Sequence, residues 1–471
     1  MTTLPIDPIL KGGLEQFASD FRQGIVTSES ATEKYLLRIN LLDQKLGAYD
    51  YVATESAMVT ARAMDSLIKS GTDLGPLMGV PIAIKDIFTI SGMPRAAAGS
   101  NTDFPDLAGS KEGPFIRALR SAGCVFLGKT KAVEFCLGIT GSSLPRGTPW
   151  NPIDMENRRA PGGSSSGSAV ATAADLCAFA IGTDSGGSVR VPATFNGIFG
   201  LKTTFGLWPV EGSVPLDPRV DSIGLLTKSA IDADIIFRGI SSVLFGYAHS
   251  NFSSAVHLNR LRLGVPQDIF LDGLNSYIHG SFNDMNARLR EAGCLFDDVR
   301  TPEASERSEY FPISMPASLL AALGVDFFKR NMHMMDPVIA KRIESGLDVK
   351  ASDYLSLETK RTISQKLVDD RFSGFDAWVS PTTADFPPLM SDLEDPQKAM
   401  ALALGMTKNT QPANYLGLCA ISIPMDSNSR GLPSGYQLMG RAGSDAKLLA
   451  IAVAIERSLA KISQPPPSNL S

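Results

Sequence analysis

Apolar residues follow two different periods along this chain, and the change falls near Gly75. Before it, residues 14 to 70 read as helix. Tyr35, Leu36, Ile39, Leu41 and Leu42 recur at the spacing of one helix face, and Ser28 and Ser30 stand where N-caps are expected. After it come short apolar runs bounded by Gly and Pro, at residues 80–84, 124–127 and 177–181. Helical stretches separate these runs, the pattern of buried strands in a mixed or parallel sheet with helices packed on it. Further on, Leu261, Leu263 and Val265 alternate like a strand. The segment 162–206 is rich in Gly and Ser, yet apolar residues interleave with them, as in Ala169-Val170-Ala171, so it reads as packed chain and not as a linker. No internal repeat is present, and the end from Ser463, with Pro465-Pro466-Pro467, reads as a disordered tail.

The 471 residues suffice for one large α/β domain or for two to three ordinary ones. Lys and Arg (44) nearly balance Asp and Glu (49), and neither sign runs in blocks, which argues against a nucleic-acid or membrane-surface partner. Five cysteines lie far apart in apolar surroundings without a CxxC pair, so buried free thiols are expected and neither a zinc nor a redox site. The N-terminus lacks a basic start followed by an apolar stretch, and no run approaches ~18 uninterrupted apolar residues. The expectation is a cytoplasmic protein.

Several motif matches fail on context. Gly123-Cys-Val-Phe-Leu-Gly128-Lys129-Thr130 satisfies the P-loop pattern, but its four intervening residues read as a strand and not as a phosphate-cradling loop. Asp184-Ser185-Gly186-Gly187 resembles the nucleophile loop of chymotrypsin-like proteases, whose histidine precedes the serine, whereas His249, His257, His279 and His333 all follow it. Gly163-Ser164-Ser165-Ser166-Gly167 fits the GxSxG elbow, which would make Ser165 the nucleophile, but no strand precedes it.

Lysine is the remaining base. Lys85 ends the apolar run Gly79-Val-Pro-Ile-Ala-Ile-Lys85, and a buried ammonium either pairs with a carboxylate or gives up its proton. Two roles therefore stay open for it, a structural ion pair with Asp86 or a general base. Ser188, in Gly182-Thr-Asp-Ser-Gly-Gly-Ser-Val-Arg190, follows a strand-like run and a Gly-Gly turn, with Pro192 where a first helical turn tolerates it. Strand, turn and helix start together aim backbone N–H groups at one spot, as an oxyanion requires. Ser164, in Pro161-Gly-Gly-Ser-Ser-Ser-Gly167, reads by itself as a turn residue.

Lys85 in GVPIAIKD, Ser164 in PGGSSSG and Ser188 in GTDSGGSVR, followed by GIFGLKTTFG at 197–206, closely resemble the amidase signature family, with the three motifs in the family's order. The resemblance covers most of residues 14–460. It implies a single α/β domain over 1–462 with a large mixed sheet flanked by helices, a helical lead-in over about 1–70, and no cofactor. It also implies an amidase that opens a small-molecule carboxamide. Ser188 would be the nucleophile, Ser164, preceded by a cis bond from Gly163, the bridging serine, and Lys85 the terminal base. The oxyanion donors would be the N–H groups of Ser185, Gly186, Gly187 and Ser188. Thr183 would shape the turn, and Asp184 and Arg190 would brace it as an ion pair. Ser166 stands where the common form of the motif has glycine, leaving less space beside Ser164.

Two other functions fit the same residues. A related component of tRNA-dependent amidotransferases frees ammonia from glutamine, and a silent binding protein on this fold would hold an amide without turnover. Phe311, Met315, Leu319 and Phe327 read as helix-core residues before pocket walls. A homodimer is the default expectation for assembly.

Overall fold

The structure, a computed structural model, describes residues 4–9, 12–246 and 256–459; the tail read as disordered lies outside them. The lead-in is three helices, Gly13–Arg22, Ser28–Leu46 and Thr54–Lys69, interrupted by strand β1 (Tyr49–Val52). At four residues, that strand is too short for its period to register in the sequence. The cap of the second helix is Thr27, whose Oγ accepts from Ser30 N–H at 3.0 Å. Ser28 is already helical and buried: its N–H goes to Asp65 and its hydroxyl donates to Gly79 O at 2.8 Å.

The four expected strands form with shifted ends, as β2 (Pro81–Lys85), β3 (Val125–Thr130), β4 (Ala180–Asp184) and β7 (Arg262–Pro266). Six more match no run singled out in the sequence: β5 (Phe199–Lys202), β6 (Ser222–Thr227), β8 (Leu295–Val299), β9 (Ala377–Pro381), β10 (Cys419–Met425) and β11 (Ser434–Gly440). Together with β1 they make one mixed sheet of eleven strands in the order β1-β3-β2-β4-β6-β5-β10-β11-β9-β7-β8. The pairs β3/β2/β4 and β9/β7/β8 are parallel and the others antiparallel. Fifteen α-helices are described with this sheet, giving the single α/β domain expected. Central strands buried along their whole length, β2, β3 and β4, explain why these segments read as apolar runs without alternation. Strand β4 starts three residues later than the run at 177–181; its register pairs Ala180 and Ile181 with β2 and Ala180 to Asp184 with β6.

Among the described residues no single helix is long and apolar enough to cross a membrane. The helices Arg307–Leu323 and Val325–Asn331 bury Phe311, Met315, Leu319 and Phe328 in the core, and Phe327 packs partly buried against it. All five cysteines are free and buried.

Candidate active site

Parallel pairing puts the ends of β2 and β4 at one edge of the sheet, with Ala83 opposite Ala180 and Ile84 opposite Ile181. Continued by one residue, that register brings Lys85, the last residue of β2, to the level of Gly182, within side-chain reach of Thr183. Its Nζ donates to Thr183 Oγ1 at 2.9 Å and to Ser164 Oγ at 2.8 Å. Lys85 is wholly buried and makes no ion pair among the described residues. Asp86, the acid next to it, pairs instead with Lys129, at 2.6 Å. Asp86 already lies in the turn past the end of β2, and from there its carboxylate reaches Lys129 on β3. This removes the structural ion pair for Lys85, and it also accounts for the lysine of the P-loop pattern, which is a buried member of β3.

Ser164 follows a cis peptide bond from Gly163. The chain is held on both sides: Gly163 N–H donates to Ile139 O at 2.7 Å, and Ser164 O accepts from Val133 N–H at 3.1 Å. The segment supplying those contacts contains Phe135 and Cys136 with positive φ (48° and 61°), a conformation bulky residues enter only when their surroundings impose it. Ser165, the candidate of the elbow motif, is fully buried, and its hydroxyl donates to Thr183 O at 3.2 Å. It ties the two serine loops together and does not face the site. The next residue, Ser166, opens the helix Ser166–Ala173, and its buried hydroxyl has no partner among the described residues.

Ser188 lies between β4 and the short helix Arg190–Phe195, and Ser165 N–H donates to its carbonyl at 3.3 Å. Ser164 and Lys85 are 0 % exposed and Ser188 6 %, so Ser188 is the one of the three that meets solvent. Its loop is braced by Asp184. That carboxylate accepts from Gly187 N–H at 2.8 Å and Val189 N–H at 3.1 Å, and it holds Arg190 through Nη2 (2.9 Å) and Nε (3.1 Å). Burial alone would raise the Asp184 carboxyl, but the Arg190 charge and hydrogen bonds outweigh it and hold it well below the carboxylate range. The loop's glycine is obligatory at 187, where φ is +125° and a Cβ would fall 2.3 Å from Thr410 Oγ1.

One expectation changes here. The N–H of Gly187 is taken by Asp184, so the donors left for an oxyanion are those of Ser185, Gly186 and Ser188, which bond to no protein atom among the described residues. Thr183 also does more than shape the turn, since its hydroxyl is the second partner of the Lys85 amine.

Residues from the far end of the chain complete the brace. Arg190 donates to Thr410 O (2.9 Å), Asn414 Oδ1 (2.6 Å) and Gln437 Oε1 (2.7 Å), and Thr410 Oγ1 donates to Gly186 O (2.9 Å). Ser185 donates its hydroxyl to Asp221, which burial pushes up to about 6 against the pull of that bond. Thr410, Gln437 and Asp221 belong to no local motif, so no signal in the sequence marks them.

Residues 30–449 match the profile of the family described as Amidase. The 2-amino-5-chloromuconic acid deaminase of Comamonas testosteroni is 32 % identical over 448 residues, covering 94 % of this chain and 95 % of that protein. A glutamyl-tRNA(Gln) amidotransferase subunit from Symbiobacterium thermophilum is 31 % identical over 469 residues, covering 93 % and 94 %. Among solved structures, the peptide amidase of Stenotrophomonas maltophilia superposes with a TM-score of 0.80 at 26 % identity, covering 98 % of this chain and all of that one. Another, described as an amidase, gives a TM-score of 0.84 at 27 % identity and covers 94 % and 99 %. The chain belongs to the amidase signature family, and within it is a hydrolase of C–N bonds.

Proposed function

We propose that this protein is an amidase that hydrolyses a small-molecule carboxamide through an ester on Ser188. The observation that carries this reading is the buried Lys85 amine, bonded to Ser164 and Thr183 and free of any acid among the described residues, at the foot of a loop on which Ser188 alone of the three is open. In the first step Lys85, entering as the free amine, takes the Ser164 proton while Ser164 takes that of Ser188, and Ser188 Oγ attacks the amide carbon. The negative charge that develops on the carbonyl oxygen is met by the N–H groups of Ser185, Gly186 and Ser188. The relay then hands its proton to the nitrogen as the C–N bond breaks, releasing ammonia or an amine. Water repeats the sequence on the ester and releases the acid.

The test is ammonia or amine release by the purified chain on aliphatic, aryl and ureido amides and glutamine. Ser188→Ala and Lys85→Ala are expected to lose essentially all turnover and Ser164→Ala somewhat less. Trapping of the ester on Ser188 by hydroxylamine, seen as an acyl hydroxamate, is the second readout. Near-normal activity in folded Lys85→Ala sinks the relay. The amidotransferase relative makes glutamine a necessary member of the panel; release from glutamine alone moves the reading to an ammonia-supplying component of a larger enzyme.

A further inference from the structure

Arg307, a cation beside the nucleophile loop, has no counter-ion among the described residues. It opens the helix Arg307–Leu323, is half-buried and makes no ion pair among these residues. Its single hydrogen bond there is from Nη1 to Gln411 Oε1, at 2.6 Å. A guanidinium carries five N–H donors, so most of the fork is left over. Burial with nothing acidic nearby lowers Arg307 to about 10, the mark of a charge taken out of water without compensation. Arg190 and Arg361, by contrast, both face carboxylates; Arg342, which burial also lowers to about 10, has its one hydrogen bond among the described residues to Leu137 O, away from Gln411 and Gly186 in sequence and partner.

Gln411 fixes where this cation stands. It follows Thr410, whose hydroxyl holds Gly186 O, and its own side chain lies against Gly186. A methyl on Gly186 would come 3.2 Å from Gln411 Cγ and 3.3 Å from Met315 Cε. Gly186 N–H is one of the three oxyanion donors of the proposed function. Arg307 is thus one side chain removed from the point where the substrate carbonyl would sit. Lys408 adds a second positive charge near it; this amine bonds to the carbonyl of Asp272 and makes no ion pair among the described residues.

We propose that Arg307, positioned by Gln411, binds a carboxylate on the substrate, so that the amide this enzyme opens is the monoamide of a dicarboxylic acid. This rests on the amidase reading above. A carboxylate accepts two parallel N–H bonds from a guanidinium, which a neutral acyl chain cannot offer.

The experiment compares succinamate and glutaramate with butyramide and valeramide, in wild type, Arg307→Met and Arg307→Lys. Wild type is expected to favour the carboxylated amides in kcat/KM by at least tenfold, about the worth of one charge-assisted pair. Arg307→Met is expected to lose that ratio, mainly through a higher KM, and Arg307→Lys to keep part of it. A wild-type preference for the neutral amides, or a ratio unmoved in Arg307→Met, overturns the assignment. Succinate and glutarate binding is measured in parallel by calorimetry on Ser188→Ala, with and without Arg307→Met. Should wild type open no amide, this arm still decides: binding lost with Arg307→Met supports the carboxylate site while the amidase reading fails, and no binding in either protein overturns the site.

Discussion

Lys85 and Thr183 show how much one hydroxyl decides. In a buried site, removing one partner of a charged or proton-carrying group forfeits about 1–3 kcal/mol, because no water replaces it. Thr183→Val keeps the shape of the side chain and leaves the Lys85 amine with Ser164 alone. The expected result is a fall in kcat of roughly 5- to 150-fold with little change in KM, from the conversion of that energy to rate. Steady-state kinetics on any amide the protein opens checks it, and a change confined to KM would place Thr183 in the pocket instead. At this scale the sequence was informative. Lys85 is unusual for its surroundings, a lysine at the end of an apolar run, and Ser164 and Ser188 are marked by their motifs; the fold brings the first two into contact. What it concealed was the choice of partner for Lys85, since the adjacent Asp86 faces the other way, toward Lys129.

Close approach between elements decides whether Ser164 is presented at all. The helix Ser166–Ala173 begins against the edge of the sheet, so that a Cβ on Gly167 would lie 2.2 Å from Ala48 O and 2.5 Å from Lys131 N. Both are backbone atoms that cannot swing away. Gly167 N–H also donates to Lys131 O at 3.0 Å, so the contact cannot widen without breaking that bond. Gly167→Ala is expected to push the helix off β3 and lower the melting temperature by several degrees, about 1–3 kcal/mol for overpacking of this kind. Activity should fall further than stability, because Ser164 moves with the helix. Calorimetry beside kinetics distinguishes the two. That this stretch packs was legible from its small apolar residues, whereas the missed strand β1 and the Thr27 cap depend on pairing and entry geometry that so short a segment does not announce.

Across the whole molecule the nucleophile loop is clamped by residues more than 200 positions away, through the Asp184–Arg190 pair and its contacts to Thr410, Asn414 and Gln437. Breaking a buried pair strands the other charge. Arg190→Met is therefore expected to destabilise the fold by about 3–5 kcal/mol at neutral pH, read from the denaturant midpoint. Asp184 is held below its ordinary 3.8, so its contribution is present above that value and is lost as the pH falls through and below it. Asp221 works the other way. Its carboxyl is raised from 3.8 to about 6, so the folded state holds the proton longer than the unfolded chain and stability declines as the pH rises from about 4 to about 6. Asp221→Asn should then be more stable than wild type at pH 8, by at most about 3 kcal/mol at 1.36 kcal/mol per pKa unit, with the difference gone near pH 4. Urea titrations at the two pH values check this, and a gain that persists at pH 4 would contradict it.

The sequence by itself determined the α/β class and the buried strands β2, β3 and β4, because these are local properties, runs of apolar side chains bounded by glycine turns; it marked the three residues proposed as the relay only through the resemblance of their motifs to a family. Tertiary structure decided the rest. It chose Thr183 over Asp86 as the partner of Lys85, spent the Gly187 N–H on Asp184, closed the loop with Thr410 and Gln437, and set Arg307 beside Gly186 through Gln411. Each of these joins segments whose side chains meet only once the strands are in register, and the direction a side chain faces there follows from sheet order and pairing, which no short window of sequence contains.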